Sequence, residues 1–298
     1  MRYFTCFDIG GSSLKCAEIS EQGILVRKAS YPIAKKVSSL LEQMKDFHKE
    51  AKHSIHAIAI SSCGAVDCKT GKIGGISAVP CIHGPSWKQL IEEEFGIPCE
   101  IENDANCAAL SELYFGEAKS IQDMAFIVIG TGIGGAIVQQ RKIIHGAHLY
   151  GGEFGMMLVK QDDGTVDNFS MFASTSSMVR KVCKKYEGTW DCKRIFEEAA
   201  LGNEFCQQVI EEFYDAIAFG VFNVQHMLDP EMILFGGAIS ARTNFTDRIM
   251  ASYKKLCSGL DCNPLYPKLA CCSFRQDANI LGALAHYLQC HKEEKEIV

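Results

Sequence analysis

The sequence predicts an α/β protein of two lobes, and three observations carry that prediction. A strand-like run over residues 3–9, the glycine turn Gly10-Gly11-Ser12-Ser13 and a second run over 14–19 form one hairpin. The same texture returns about 120 residues later as Met124 to Ile129, Gly130-Thr131-Gly132-Ile133-Gly134-Gly135 and Ala136-Ile137-Val138. Aligning Ile9-Gly10 with Ile129-Gly130 superposes strand on strand and turn on turn, the signature of an internal duplication. Between and beyond the hairpins, strand and helix patterns alternate, as they do in layered α/β folds. The 298 residues suffice for two such units, since domains of about 100–200 residues are the norm. The expected division is a first lobe over residues 1–116, onto which a terminal helix within 277–298 packs back, and a second over 117–276, with ligands in the cleft.

The elements follow in order. Residues 38–50 read as a helix with Leu40, Leu41, Met44 and Phe47 on one face, and 55–60 as a buried strand ending in Ser61-Ser62-Cys63-Gly64. An apolar approach over 96–101 leads to Asn103 and Asp104. There Ala105, Ala108, Ala109, Leu110 and Leu113 recur at helical spacing until Gly116. Residues 160–170 are polar and read as a loop. A helix over 204–228, stopped by Asp229-Pro230, is apolar nearly all round in its second half (Ile217, Phe219, Val221, Phe222, Val224), which predicts burial between layers. The strand Met232-Ile233-Leu234-Phe235 closes in a third glycine turn, Gly236-Gly237. A last helix over 278–290 carries Ile280, Leu281, Leu284, Tyr287 and Leu288, and the charged tail 291–296 reads as frayed.

Composition narrows the function. A formal net charge of −6 with no long basic run gives no electrostatic footprint for nucleic acid. No apolar stretch reaches membrane-spanning length and no leader pattern opens the chain, so the expectation is a cytoplasmic protein with no membrane partner. The 15 cysteines are odd in number and include no CxxC pair, which predicts free thiols serving as small core hydrophobes.

Several glycine turns and one carboxylate at a helix N-terminus suit phosphoryl transfer, where positioning and charge neutralisation do most of the work. Neither a Walker A loop nor a strand-GxGxxG-helix unit is present, so phosphates would bind between two β-hairpins. Asp104 caps a helix, acts as a base, or does both, for a helix N-terminus favours a carboxylate and tends to lower its pKa. Asp8 either stabilises its turn or holds a hydrated Mg²⁺.

Phe7-Asp8-Ile9-Gly10-Gly11-Ser12, Glu102-Asn103-Asp104-Ala105-Asn106, Ile129-Gly130-Thr131-Gly132-Ile133-Gly134-Gly135, Gly151-Gly152-Glu153-Phe154-Gly155 and Leu234-Phe235-Gly236-Gly237 span nearly the whole chain. Their order resembles that of the ROK family of bacterial sugar kinases. The resemblance implies a two-lobed actin/hexokinase/Hsp70-like ATPase fold built from duplicated ribonuclease H-like domains, ATP and Mg²⁺ as cofactors, and a homodimer. Asp104 then resembles the general base acting on a sugar hydroxyl, usually the 6-OH, and Asn103 and Glu153 resemble sugar ligands. Gly10, Gly11, Ser12 and Lys15 resemble the first phosphate site, with Asp8 near Mg²⁺ through water. Gly130, Thr131 and Gly132 resemble the second phosphate turn, and Gly236 and Gly237 the adenosine-side turn. His83, His145 and His148 are further candidates for lining the sugar pocket, or are structural and surface histidines.

Departures from the family pattern narrow the substrate. Met156 stands where many members carry a His. Residues 157–170 contain no cysteine, so no structural zinc site is expected, and a further sugar-binding Glu is replaced around Ser170. Zinc-less members that resemble this chain, with Glu-Phe-Gly-x-Met as at Glu153 to Met157, include β-glucoside kinases acting on the 6-OH of the non-reducing glucose of disaccharides such as cellobiose. N-acetylmannosamine kinases and broad glucokinases or fructokinases stay as alternatives, as does a non-catalytic sugar sensor. A repressor is disfavoured because the first hairpin starts at residue 3, leaving no room for a DNA-binding segment ahead of it.

Overall fold

The computed structural model describes residues 1–160, 164–261 and 263–292. It divides into two compact units: Met1–Ser120, His145–Tyr150 and the stretch from Gln276 onward form the first, and Ile121–Ile144 with Gly151–Arg275 form the second. Residues 145–150 fall in the second of the expected lobes, 117–276. In the structure they belong to the first, where His145 bonds to Glu102.

In the first unit the strands are β1 (Tyr3–Ile9), β2 (Ser13–Ser20), β3 (Leu25–Pro32), β4 (Ile55–Ser62), the short β5 (Ala65–Asp67) and β6 (Lys72–Gly74), and β7 (Cys99–Asn103). The helices are α1 (Val37–Lys49), α2 (Trp87–Phe95) and α3 (Asp104–Phe115). The main sheet runs β3-β2-β1-β4-β7, antiparallel at β1–β2 and β2–β3 and parallel at β1–β4 and β4–β7. Every residue of β1 after Tyr3 is buried, as expected of a central strand covered on both faces. One face packs Phe7, Ile9, Ile58 and Ile60 against Leu40, Met44 and Phe47 of α1 and Trp87 and Ile91 of α2.

In the second unit the strands are β8 (Met124–Ile129), β9 (Ile133–Gln139), β10 (Lys142–Ile143), β11 (Leu158–Lys160), β12 (Val166–Asn168), β13 (Met232–Gly236) and β14 (Leu269–Cys271). The helices are α4 (Phe169–Ala173), α5 (Thr175–Cys183), α6 (Cys192–Ala200), α7 (Glu204–Leu228) and α8 (Phe245–Ser258). Its sheet runs β10-β9-β8-β13-β14 with the same sequence of antiparallel and parallel pairings as the first. The duplication read from the two hairpins therefore extends to five strands in each unit. The core gathers Ile127, Ile129, Ile233 and Phe235 of the sheet with Phe213, Tyr214, Ile217 and Val221 of α7 and Phe245 and Tyr253 of α8.

The last helix, α9 (Ala278–Cys290), belongs to the first unit and packs on β1, β4, β7 and α3. A Cβ added to Gly282 would lie 1.7 Å from the Cys107 carbonyl oxygen, so α3 and α9 touch backbone to backbone there.

Several expectations need correcting. The second glycine turn is shorter than expected: β9 starts at Ile133, and Gly134 and Gly135 lie inside it. Gly135 is there because a Cβ would come within 2.4 Å of both the Phe126 carbonyl and the Phe154 ring. Helix α7 is not buried all round, since Phe219 is 43% and Met227 75% exposed. The approach to Asp104 starts at Cys99, because Gly96 is the left-handed end of α2. The polar segment 160–170 contains the hairpin strand β12, paired antiparallel with β11, rather than only loop; residues 161–163 lie outside the described ones, as does the tail beyond Lys292. All 14 described cysteines are free thiols, yet only Cys6, Cys16, Cys99, Cys107, Cys206 and Cys257 are fully buried, so core filling explains fewer than half. No described helix is long and apolar enough to cross a membrane.

Candidate active site

The parallel strands of the first unit end together. Their register sets Asp8 beside Ser61 and Ser61 beside Glu102, with Ile9, Ser62 and Asn103 one step further along. Ligands in α/β sheets bind at this carboxyl end of parallel strands. Asp8 is nearly buried and held from three sides. Its Oδ1 accepts from Ser61 Oγ at 2.8 Å and from Asn279 Nδ2 of α9 at 3.2 Å, and Lys15 Nζ stands 3.5 Å from Oδ2. Lys15 also donates to the Gln276 carbonyl at 3.3 Å.

Asp104 does not cap its helix. Asn103 does, in extended conformation, its Oδ1 accepting from the backbone N–H of Ala105 at 2.9 Å and Asn106 at 3.2 Å. Asp104 is the first residue of α3, half-buried, its Oδ1 accepting from Ala105 N–H at 2.8 Å. Asn103 Nδ2 donates to the Gly64 carbonyl at 3.0 Å, which ties the cap to the end of β4. Burial, then the negative charges of Asp104 and Asp8, push the Cys63 thiol up, so both carboxylates act on one point beside β4.

The glycine turn after β1 is closed by Gly10 N–H donating to the Ser13 carbonyl at 3.0 Å, with Gly11 and Ser12 exposed at its tip. In the second unit Gly130 N–H donates to the Gly132 carbonyl at 2.9 Å, leaving Thr131 and Gly132 exposed. The Gly236-Gly237 turn, at the end of the neighbouring parallel strand, lies against this hairpin. Gly237 has φ +90°, and a Cβ there would sit 2.1 Å from the Ile129 carbonyl oxygen, so only glycine fits. Glu153 is exposed, in a segment whose Gly152 packs on Ala136 of β9. Ser170, which stands around where the family pattern carries a further Glu, is used structurally: its hydroxyl accepts from Ile133 N–H at 2.9 Å.

The histidines separate by role. Both ring nitrogens of His83 are taken, Nδ1 by the Ile73 carbonyl at 3.1 Å and Nε2 by Ser77 Oγ at 2.8 Å. His148 is exposed. His145, in contrast, lies 2.7 Å from the carboxylate of Glu102.

Glu102, Ser61 and Asn279 were not singled out in the sequence. Glu102 is fully buried, accepts from Asn103 N–H at 2.7 Å and Asn106 Nδ2 at 3.0 Å through Oε1, and meets His145 Nε2 through Oε2. Burial alone would raise its pKa; the His145 hydrogen bond, the His286 and His145 charges and the Asn106 amide outweigh it and hold the carboxyl at about 2. The signal available in the sequence was a lone carboxylate one residue after an apolar strand residue and two before the helix.

The chain is similar over nearly its whole length to sugar kinases. The β-glucoside kinase of Listeria innocua is 32% identical over 294 residues, covering 95% of this chain and 96% of that protein. The β-glucoside kinase of Klebsiella pneumoniae is 30% identical over 294 residues, covering 96% of each. A crystal structure of a ROK family protein from Streptococcus pneumoniae in complex with sucrose superposes with a TM-score of 0.91 at 36% identity, covering 98% of this chain and 99% of that one. The model of the ROK family matches residues 4–289. The chain belongs to the ROK family and is a carbohydrate kinase with the two-lobed actin/hexokinase-like fold.

Proposed function

We propose that this kinase transfers the γ-phosphate of ATP to the 6-hydroxyl of a hexose, the non-reducing glucose of a cellobiose-like β-glucoside being the leading acceptor. The observation that carries the reading is the division of labour at Asn103 and Asp104. Because Asn103 caps α3, the carboxylate of Asp104 is held at the positive end of the helix without being required as the cap.

Asp104 there orients the sugar hydroxyl and takes its proton as the oxygen attacks phosphorus. A pre-ionised carboxylate suffices because the hydroxyl becomes strongly acidic only late in the transfer. Asn103 uses one amide hydrogen on Gly64, and its second supplies a donor for a sugar hydroxyl. Glu153 is the second sugar ligand. The exposed backbone of Gly11 and Ser12 holds phosphate in the first unit. Thr131 and Gly132 do so in the second, where Gly236 and Gly237 admit the adenosine side.

Asp8 suits Mg²⁺, a hard ion bound by one or two carboxylates plus waters and phosphate oxygens, since it is an all-oxygen ligand whose orientation Ser61 and Asn279 fix. When bound, the ion supplies neutralisation of phosphate charge; Lys15, beside Asp8, supplies a second positive group. His83, with both nitrogens committed to its own chain, shapes the 73–83 segment instead of contacting sugar.

The disaccharide reading rests on the two β-glucoside kinases and on the sucrose named with the Streptococcus structure. A coupled ADP-release assay with Mg²⁺-ATP against cellobiose, glucose, N-acetylmannosamine and fructose tests it. The expected result is the highest kcat/KM with cellobiose and phosphate on carbon 6 of the non-reducing ring. A higher kcat/KM for N-acetylmannosamine would overturn the acceptor, and no sugar-dependent ADP release with any of them would overturn the reading altogether.

A further inference from the structure

The carboxylate of Glu102 is met by more groups than a buried ion pair requires. His145 Nε2 lies 2.7 Å from Glu102 Oε2, His286 Nδ1 lies 3.6 Å from the same oxygen, and Cys68 Sγ lies 3.6 Å from His145 Nε2. The ligand atoms of Cys68, Glu102 and His286 all fall within 4.8 Å of one another. The geometry points to a transition-metal site, of the kind filled by Zn²⁺, with Cys68, Glu102, His145 and His286 as its four ligands.

The spacing suits it. Zinc–ligand bonds of about 2.0–2.3 Å form a tetrahedron with six edges of about 3.3–3.8 Å; the His286–Glu102 and Cys68–His145 edges, both 3.6 Å, lie in that range, and those from Cys68 to Glu102 and to His286 are within 4.8 Å. The His145–Glu102 edge, 2.7 Å, opens by about an ångström or less once a cation replaces the shared proton. The donors are right as well: one sulfur, two imidazoles and one carboxylate form a borderline-soft set that favours zinc over magnesium or calcium.

The charges would balance in the filled site. A Cys68 thiolate and the Glu102 carboxylate together neutralise a dication, and the two imidazoles bind as neutral ligands. Binding then releases the Cys68 thiol proton and the proton shared by His145 to solvent.

The surroundings also fit. His286 is oriented by its other nitrogen, Nε2, which lies 3.6 Å from Cys290 Sγ, leaving Nδ1 turned inward. Glu102 is fully buried and His286 nearly so, whereas the His145 side chain is 33% exposed and provides the way in. The four ligands come from the β5–β6 turn, β7, the segment His145–Tyr150 and α9, all within the first unit. A metal there would pin the 145–150 segment, which has no regular secondary structure, to Glu102, the residue before Asn103. The site departs from the expectation of no zinc, which follows from the absence of CxxC spacing and of cysteine in residues 157–170, because its single sulfur and three other ligands come from four separate segments. Glu100, His286 and Cys290 form a rival group that shares His286 and differs in its sulfur.

The test needs neither sugar nor ATP, so it stands apart from the kinase reading. Full-length protein purified without a metal column is analysed for metal by mass spectrometry, then stripped, dialysed against Co²⁺ or Zn²⁺ alone and examined by absorption spectroscopy. The expected result is one metal ion per chain, a thiolate-to-cobalt charge-transfer band with four-coordinate d–d bands, and a higher melting temperature with Zn²⁺. Cys68→Ser should abolish the charge-transfer band and weaken Zn²⁺ binding at least about 100-fold. His145→Gln, at a partly exposed position that will fold, should weaken it similarly, and Cys290→Ser should keep the band. No stoichiometric uptake by the wild-type chain would overturn the proposal and leave a plain Glu102–His145 ion pair. A band lost in Cys290→Ser but kept in Cys68→Ser would overturn it in favour of the rival group.

Discussion

Asp104 and Asn103 show how two neighbouring polar residues divide tasks that either could perform. Both prefer helix N-termini, so the sequence places them at the start of α3 but does not say which one caps; the extended backbone of Asn103 and its two bonds to Ala105 and Asn106 decide it. Asp104→Asn should therefore leave stability within about 0.5 kcal/mol, since the cap stays. It should lower kcat by about 10²–10⁴-fold, as expected for loss of a general base, with sugar affinity little changed. Steady-state kinetics beside calorimetric sugar binding measure this, and near-normal turnover would remove Asp104 from the mechanism. A second carboxylate governs acid stability. Glu18 of β2 is buried, which would raise its pKa, but the N–H groups of Lys52 and His53, at 3.0 and 3.1 Å, and the His53 ring at 2.7 Å prevail and lower it. A carboxyl with a depressed folded pKa gives its full stabilisation above the unfolded value of about 4.3 and loses it as pH falls through the folded value. Glu18→Gln should thus be less stable than wild type at pH 7, with the gap closing below about pH 4 in urea melts taken across the acid range.

Elements were legible where a single face or a single breaker defined them. The α1 face of Leu40, Leu41, Met44 and Phe47 is buried as its spacing predicts, and α7 ends at Asp229 because the residue after it is Pro230. Helix α2 gave a weaker signal: its nine residues bury only Trp87 and Ile91, and its cap Ser86 and terminal Gly96 sit in a polar neighbourhood. The β11–β12 hairpin was hidden because Leu158 and Val166 are exposed, so no alternation marks an inner face. In the site, Asp8, Asn103 and Asp104 were legible because each adjoins a turn or helix start within its own segment. The Glu102, His145, His286 and Cys68 cluster was not, since it draws on four separate segments that only the fold brings together. The close contact of α3 and α9 was equally invisible, and it makes a sharp prediction. Gly282→Ala would gain about 1 kcal/mol of helix propensity. It would also drive a Cβ to 1.7 Å from the Cys107 carbonyl, an overlap with backbone that only a shift of one helix can relieve. The overlap should win by about 2–3 kcal/mol, read as a lower urea midpoint at unchanged slope. A midpoint equal to or above wild type would show that the helices are not in contact there.

At the scale of the whole molecule, the repeated strand order gives each unit a sheet of five strands and a core of its own. The first is built on Phe7, Ile58, Ile60 and Trp87 and the second on Phe213, Tyr214, Ile233 and Phe235, and neither core cluster includes a residue of the other unit. Proteins open in cooperative units that follow such cores, and amide exchange reads the opening free energy of each. Phe213→Ala, at a side chain 1% exposed, should cost about 3–5 kcal/mol through lost burial and the cavity left behind. That cost should fall first on the second unit. Hydrogen exchange followed by mass spectrometry is therefore expected to show faster exchange in peptides from β8, β13 and α7, while peptides from β1, β4 and α9 keep their wild-type protection. Equal acceleration in both sets would mean that the duplicated units open as one, and that separate cores do not make separate cooperative units in this chain.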